Sequence, residues 1–237
     1  MSAAPFQFQS GATQTSLLEL YTSEGCSSCP PAEVWLSRLK ESPRLWKDFV
    51  PVAFHVDYWD YLGWKDPFAA KGYTQRQRDY AQEWRNRSVY TPGFVLDGKE
   101  WRSSFKRGEL PRASNKLIGE LTARSEDGKR WTLRFQPTAG SAFSCDLHAA
   151  LLGFDLKSDV KAGENRGRDL EHDFVVLKLV KEVSNKNEDS FQAELSLTSN
   201  LPLAPKRIGF AAWVTPSKSL QSLQAVGGWL PSTKQTP

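Results

Sequence analysis

The first half of the chain alternates short apolar runs with stretches in which apolar residues recur at helical spacing. Residues 15–23 (TSLLELYTS) and 49–59 (FVPVAFHVDYW) are the apolar runs, and each predicts a buried strand. Residues 32–43 (AEVWLSRLKESP) and 71–88 (KGYTQRQRDYAQEWRNRS) have helical spacing, and each predicts a helix. The two kinds of element therefore alternate from residue 15 onward.

Two further elements complete this half. Residues 92–102 hold the pair Asp97-Gly98 between two strand-like pieces, which predicts a hairpin. Residues 109–124 (ELPRASNKLIGELTAR) predict a last helix. The resulting order, β-α-β-α-β-β-α, predicts a sheet with helices packed on it.

The pattern changes near residue 126, where apolar and polar positions begin to alternate with a period of two. Such strands between polar loops are typical of an antiparallel sandwich or barrel. We therefore divide the chain into an N-terminal tail (1–14), an α/β domain (15–125) and a β-rich C-terminal domain (126–237). The predicted strands of the last part lie within residues 130–137, 143–154, 173–183, 190–199 and 207–216.

Composition and charge exclude several classes of protein. The chain has 237 residues, of which 39% are hydrophobic, enough to argue against disorder. Its net charge of +4 comes from scattered basic residues, so we expect no nucleic-acid partner. No apolar run approaches the ~20 residues of a membrane helix, so we expect no membrane span. The sequence assigns no oligomeric state.

The N-terminal residues bear on location. No signal peptide is visible. However, residues 2–16 (SAAPFQFQSGATQTS) resemble the N-terminus of a mature exported protein to which a Met has been added. We expect a periplasmic or otherwise exported protein, with a cytoplasmic one as the alternative.

The stretch GCSSCPPAE (25–33) carries the main candidate chemistry. Proline is tolerated only in the first turn of a helix, so the two prolines predict a helix that begins at about Cys26 to Cys29. Cys26 would then lie at the positive end of the helix, which lowers the pKa of a thiol. Cys29, one turn along, could attack a mixed disulfide on Cys26. The pair is thus a candidate redox centre.

A second candidate motif is VYTPGFVLDG (89–98). X-Pro is the only common cis peptide bond, and thioredoxin-like folds hold such a proline beside their cysteine pair. We predict that Thr91–Pro92 is cis and that the Thr91 backbone binds a peptide or thiol substrate, with Pro92 as the substrate-side wall.

These motifs together resemble a known family, the thioredoxin-like domain-of-unknown-function family 1223 of bacteria and plants. The resemblance implies a thioredoxin fold with a C-terminal β-rich extension, often exported, and no settled activity. Glu24 and Gly93 depart from the family pattern, and the charge of Glu24 would oppose thiolate formation at Cys26. The resemblance rests on residues 17–33, 54–68 with 73–81, and 89–98, and more faintly on 160–176.

Other polar residues near these motifs are further candidates. Glu19 is an acid among leucines, and we consider it both as a proton relay to the cysteines and as a structural acid bonded to a neighbouring backbone group or to a Tyr or Arg. Asp57, Tyr58 and Trp59 follow a strand, where loops of α/β sheets carry function. They would either form a wall that selects the substrate or cover the sheet.

Neighbouring residues indicate the environment of three more positions. Cys145 shares a strand face with apolar residues, which predicts a buried side chain, while His148 on the opposite face is predicted to lie at the surface. His172 lies in a polar loop that could reach the cysteine face or hold a ligand, or could simply be a hairpin connection.

The sequence therefore predicts an α/β thioredoxin-like domain plus a C-terminal antiparallel β-sandwich-like domain. The leading function is thiol–disulfide exchange with a protein thiol or disulfide or a small thiol, with Cys26 attacking and Cys29 resolving, and with no cofactor beyond the pair. One alternative is an extracytoplasmic module that binds a partner or a metal, with Cu(I) held by Cys26, Cys29 and His55. Another is a permanent structural disulfide.

Overall fold

The computed structural model describes residues 5–102, 108–138, 144–187, 189–198 and 205–231. Its two α-helices are α1 (Pro30–Arg38) and α2 (Lys71–Glu83), with short 3-10 turns at Leu39–Glu41 and Asp60–Leu62. The strands are β1 (Phe6–Gln9), β2 (Ser16–Thr22), β3 (Phe49–His55), β4 (Gly93–Leu96), β5 (Lys99–Glu100), β6 (Gly119–Ser125), β7 (Arg130–Pro137), β8 (Cys145–Phe154), β9 (Leu156–Asp159), β10 (Asp169–His172), β11 (Val175–Val183), β12 (Asn185–Asn187), β13 (Ser190–Ser196), β14 (Arg207–Pro216) and β15 (Gln224–Trp229).

The strands form three sheets. The largest has eight strands in the order β15-β14-β8-β11-β3-β2-β4-β5, a second has the order β1-β6-β7-β13-β12, and the third is the pair β10-β9. In the large sheet β2 runs parallel to β3, and β3 pairs in parallel with β11 through Ala53 and Val175. The large sheet thus contains strands from both halves of the chain.

The expected fold class, an α/β thioredoxin-like domain followed by a separate sandwich, is wrong. The described residues contain fifteen strands against two α-helices, which is a β-rich fold with three sheets. The physical reason is that β3 is not an edge strand. One of its edges pairs with β2 and the other with β11, so the antiparallel strands of the second half extend the same sheet.

The predicted helix over residues 109–124 is also wrong. Residues 119–125 form β6, which pairs with β7 on one side and β1 on the other. Leu121 and Ala123 are buried while Glu120 and Arg124 are exposed, a period of two that suits a strand. Gly119 has a φ of +125° and no room for a Cβ atom, so the segment bends into the strand there.

Other local predictions are confirmed. The strands expected near residues 130–137, 143–154, 173–183, 190–199 and 207–216 appear as β7, β8, β11, β13 and β14, although residues 143 and 199 lie outside the described residues. Asp97 and Gly98, with φ of 49° and 81°, form the predicted hairpin turn between β4 and β5.

Two apolar cores lie on opposite faces of the large sheet, and β8 serves both. Cys145, Leu147 and Ala149 face the core shared with the five-stranded sheet, as predicted for Cys145. Ala150 and Leu152 face the core shared with the helices. His148 was expected at the surface, but it is 3% exposed and stacks on Trp213, because this face of β8 is covered too.

A buried ion pair joins the sheet to α2. Glu19 of β2 accepts hydrogen bonds from Arg76 at Nε (2.8 Å) and Nη2 (3.0 Å). The hydroxyls of Tyr80 (2.5 Å) and Tyr21 (2.9 Å) donate to the same carboxylate. Glu19 is fully buried and Arg76 is 6% exposed, so each charge depends on the other for compensation. The pair fixes the position of α2 on the sheet.

No helix of the described residues has both the length and the apolar character needed to cross a membrane.

We predict that Arg76→Ala lowers the free energy of unfolding by about 3–5 kcal/mol, because it leaves the Glu19 carboxylate buried without its partner. Urea unfolding followed by circular dichroism measures the change. The matched control is Arg78→Ala on the same helix, where the arginine is exposed and a change within about 0.5 kcal/mol is expected. Equal losses in the two variants would contradict the prediction.

Candidate functional site

The cysteine pair lies in the turn between β2 and α1. The backbone N–H of Cys26 donates to the Ser23 carbonyl (3.1 Å), and that of Cys29 donates to the Cys26 carbonyl (3.2 Å). The helix begins at Pro30 with Cys29 as its N-cap, so Cys26 precedes the first helical turn instead of forming part of it. Both cysteines are free thiols, both are buried, and their sulfur atoms are 2.6 Å apart.

The two thiols differ in acidity. The hydrogen bond from Cys29 lowers the pKa of Cys26 to about 6, against the opposing effect of burial, with further help from Ser28 and Thr91. Burial raises the pKa of Cys29 well above its usual value, and the neighbouring Cys26 and Glu33 add to the effect. At neutral pH the pair therefore holds one proton, on Cys29. These neighbours lower the pKa of Cys26 even though the carboxylate of Glu24 lies two residues before it in the sequence.

Thr91 and Pro92 lie beside Cys26, and the peptide bond between them is cis, as predicted. The Thr91 carbonyl oxygen is 3.7 Å from Cys26 Sγ. Trp59 Nε1 donates to Thr91 Oγ1 at 2.8 Å, which holds the threonine in place. A Cβ atom at Gly25 would come within 2.8 Å of Trp59 Cβ, so only glycine allows the cysteine turn this close to the tryptophan.

The two other residues of the predicted wall are held by α2. Thr74 Oγ1 accepts from the Asp57 N–H (3.0 Å) and donates to Asp57 Oδ1 (2.5 Å). Tyr58 donates to Gln77 Oε1 at 3.2 Å, and burial raises the pKa of its hydroxyl. Asp57, Tyr58 and Trp59 are all partly exposed. Both Trp59 and Tyr58 interact with the Thr91 side chain.

Glu19 is held elsewhere. The four hydrogen bonds of its carboxylate come from Arg76, Tyr80 and Tyr21, so it belongs to the ion pair under α2. The acid that acts electrostatically on Cys29 is Glu33, in the first turn of α1.

A loop from the second half of the chain covers the cysteine turn. Asn165 Nδ2 donates to the carbonyls of Glu24 (2.8 Å) and Cys26 (2.9 Å), and Asn165 is fully buried. Glu164 accepts from the backbone N–H (2.9 Å) and the hydroxyl (2.7 Å) of Ser27. The polar loop ahead of His172 therefore reaches the cysteine face.

Beneath this turn lies a cluster of buried ionisable residues. His172 bonds Glu33 through Nδ1 (2.5 Å) and Glu24 through Nε2 (2.9 Å). Burial opposes a charged His172, but the two carboxylates raise its pKa to about 10. Burial likewise opposes a charged Glu33, but His172 holds the pKa of its carboxyl below the usual value. His55 Nδ1 bonds Asp66 Oδ2 at 2.8 Å, so the cluster has a second carboxylate–imidazole pair.

Sequence reasoning missed four residues of this site, namely Glu33, Asp66, Glu164 and Asn165. An acid such as Glu33 is common in the first turn of a helix, where it interacts favourably with the helix dipole, so it does not by itself indicate a functional site. Asp66 lies within 54–68, and Glu164 and Asn165 lie within 160–176, two of the stretches on which the family resemblance rests. Their place in these stretches was the signal that could have found them.

We predict that Cys26 in the reduced protein forms its thiolate with a pKa of about 6. In Cys29→Ala the midpoint should rise toward the ordinary thiol value of about 8.5, because the main hydrogen-bond donor to Cys26 is lost. Thiolate ultraviolet absorbance against pH measures both. Cys145 does not interfere, since burial raises its pKa to about 12.

The control is Ser27→Ala, which removes a hydroxyl that bonds Glu164 and not the sulfur. The pH midpoint of thiolate formation in this variant should equal that of the wild-type protein. A Cys29→Ala curve that overlays the wild-type curve would contradict the prediction.

Two solved structures are similar to this chain over more than nine-tenths of its length. Protein AGR_C_4864 from Agrobacterium tumefaciens is 21% identical, with a TM-score of 0.62 over 95% of this chain and 97% of the other. HBP35 of Porphyromonas gingivalis is 14% identical, with a TM-score of 0.62 over 93% of this chain and 76% of the other. At these identities the likeness concerns the fold alone. No protein with a curated description matches the sequence. The model of the family described as "Protein of unknown function (DUF1223)" matches residues 17–215, and the chain therefore belongs to that family.

Proposed function

We propose that the protein is a thiol–disulfide oxidoreductase whose reactive groups are Cys26 and Cys29. The observation that carries the proposal is the pair of buried sulfurs 2.6 Å apart with opposite acidities. A reactive thiol needs a thiolate at neutral pH, and its partner needs to stay protonated until its turn comes. The low pKa of Cys26 and the high pKa of Cys29 supply these two states.

The first step is attack of the Cys26 thiolate on one sulfur of a substrate disulfide. A new S–S bond forms between Cys26 and the substrate, the substrate S–S bond breaks, and the second substrate sulfur leaves as a thiolate. Ser28, whose hydroxyl is 3.2 Å from Cys26 Sγ, is exposed, as is Ser27. A substrate would approach over these two serines.

The second step is attack of Cys29 on Cys26 Sγ. Cys29 gives its proton to the thiolate released in the first step, its sulfur bonds to Cys26, and the remaining substrate sulfur leaves as a thiolate. Two electrons pass from the pair to the substrate, and the pair ends as a disulfide. Reduction by two further thiols, or by one dithiol, would return the pair to the start. The same steps run in reverse when the disulfide form of the pair oxidises a dithiol substrate.

The substrate class is a protein thiol or disulfide, or a small thiol. The Thr91 carbonyl lies 3.7 Å from Cys26 Sγ, and the Trp59 ring bonds the Thr91 hydroxyl; such backbone and ring surfaces suit an extended peptide more than a highly charged ligand. The reaction needs no cofactor beyond the cysteine pair. We retain an exported location as part of the proposal, because disulfide chemistry persists in oxidising compartments.

The test is the reduction potential of the pair. The full chain carrying Cys145→Ser is equilibrated in graded dithiol buffers, and alkylated thiols are counted by mass. We expect a reversible two-thiol transition between about −270 mV, the value of thioredoxin, and about −120 mV, the value of a strong oxidant. A pair that stays oxidised to below about −300 mV would behave as a structural disulfide and overturn the proposal.

A trapping variant tests the order of attack. Cys29→Ala should accumulate a mixed disulfide on Cys26, because the resolving thiol is absent, whereas Cys26→Ala should accumulate little on the more buried and less acidic Cys29. Mass spectrometry after incubation with oxidised glutathione measures both. Equal trapping by the two variants would contradict the assigned roles.

A further inference from the structure

Three buried residues from separate elements meet below the cysteine turn. Glu33 is in the first turn of α1, His55 ends β3 and His172 ends β10. Each offers one ligand atom, and these atoms all lie within 4.8 Å of one another. The two imidazole rings are 5.0 Å apart and nearly perpendicular, at 83°. Among the described residues this is the group of His, Cys, Asp and Glu side chains with metal-ligand spacing, and it includes neither Cys26 nor Cys29.

One ring nitrogen in this group has no partner. His55 is 1% exposed, Asp66 holds its Nδ1, and its Nε2 is buried without any hydrogen bond. A buried polar atom without a partner costs about 1–3 kcal/mol, so native proteins rarely leave one. The unpaired nitrogen lies on the ring edge opposite Asp66, and a neutral imidazole nitrogen of this kind is the commonest metal ligand atom.

Each ligand residue is also held from behind. Asp66 bonds His55 Nδ1 (2.8 Å), Glu24 bonds His172 Nε2 (2.9 Å), and the Thr22 hydroxyl donates to Glu33 Oε1. These bonds leave His55 Nε2, His172 Nδ1 and Glu33 Oε2 as the inner atoms. Carboxylates behind the ligating histidines are the usual outer partners of a protein metal site, where they fix the ring orientation. Trp64 Nε1 donates to the Glu24 carboxylate, and the Glu24 backbone N–H donates to the Asp66 carboxylate. Both outer carboxylates are therefore held in place themselves.

We propose that Glu33, His55 and His172 bind one divalent transition-metal ion, with Asp66, Glu24 and Thr22 as outer partners. Two imidazoles and one carboxylate suit zinc or ferrous iron, whereas Cu(I) prefers thiolates. The inner contact between His172 Nδ1 and Glu33 Oε2, at 2.5 Å, would open to admit the ion, and the proton on His172 Nδ1 would be released to solvent as the ion binds. The proposal is independent of the oxidoreductase reaction, because the ligand set contains no sulfur.

The test uses zinc as the probe and the full chain with Cys26→Ser and Cys29→Ser, so that the thiols contribute nothing. After chelator treatment, equilibrium dialysis should give one zinc ion per chain. His172→Gln and His55→Gln should each abolish binding at the concentration that saturates the parent. Asp66→Asn should weaken binding by about 10–100-fold, as loss of an outer partner does.

The matched control is His148→Gln. His148 is also buried and has an unpaired ring nitrogen, but it lies on β8 beside Trp213, outside the group. Its variant should keep full zinc stoichiometry. A parent that binds no zinc, or a His148→Gln variant that loses as much zinc as the other two histidine variants, would overturn the proposal.

A spectroscopic readout keeps the test decisive if a histidine variant fails to fold. Cobalt(II) bound to the wild-type chain should show ligand-field bands without the thiolate-to-cobalt charge-transfer band, since the ligands are nitrogen and oxygen. A strong charge-transfer band that disappears with Cys26→Ser would assign the metal to the cysteine pair and overturn the proposal. A wild-type chain that binds zinc but whose cysteine pair shows no reversible redox transition would overturn only the oxidoreductase function.

Discussion

The pairing of β3 with β11 is the contact on which the rest of the site depends. It joins the parallel strands of the first half to the antiparallel strands of the second, through Ala53 N–H and the Phe174 carbonyl at 2.8 Å. His172 lies two residues before Phe174, and the loop with Glu164 and Asn165 lies just ahead of β10. Because β11 is fixed beside β3, these side chains are delivered onto the cysteine turn and under it.

The chemistry of the cysteine turn follows from burial and close neighbours. The helix begins one turn after Cys26, and the largest influence on the pKa of that thiol is the S–H group of Cys29. Glu33 acts in the opposite direction on Cys29, while His172 compensates the charge of Glu33. The two thiols thus differ because Cys26 accepts a hydrogen bond from Cys29, whereas Cys29 is desolvated by burial.

Sequence patterns predicted the local features well. The buried strand before Cys26, the hairpin at Asp97-Gly98 and the cis bond before Pro92 all depend on neighbouring residues, and all are present. The fold class was wrong because strand pairing between distant segments leaves no local pattern. For the same reason Glu33 gave no hint of His172, which lies 139 residues away in sequence. Residues 119–125 were misassigned because a helical interpretation of 109–124 ignored their alternation.

The hydrogen bonds from Asn165 to the Glu24 and Cys26 carbonyls have a consequence for the evolution of the chain. A reactive turn held only by its own half could be copied into other proteins as a self-contained cassette. Here the backbone of the turn depends on a side chain encoded more than a hundred residues downstream, and the buried acids depend on His172. The two halves of the gene are therefore bound to be inherited together, with the cysteine turn and the loop diverging as a matched set.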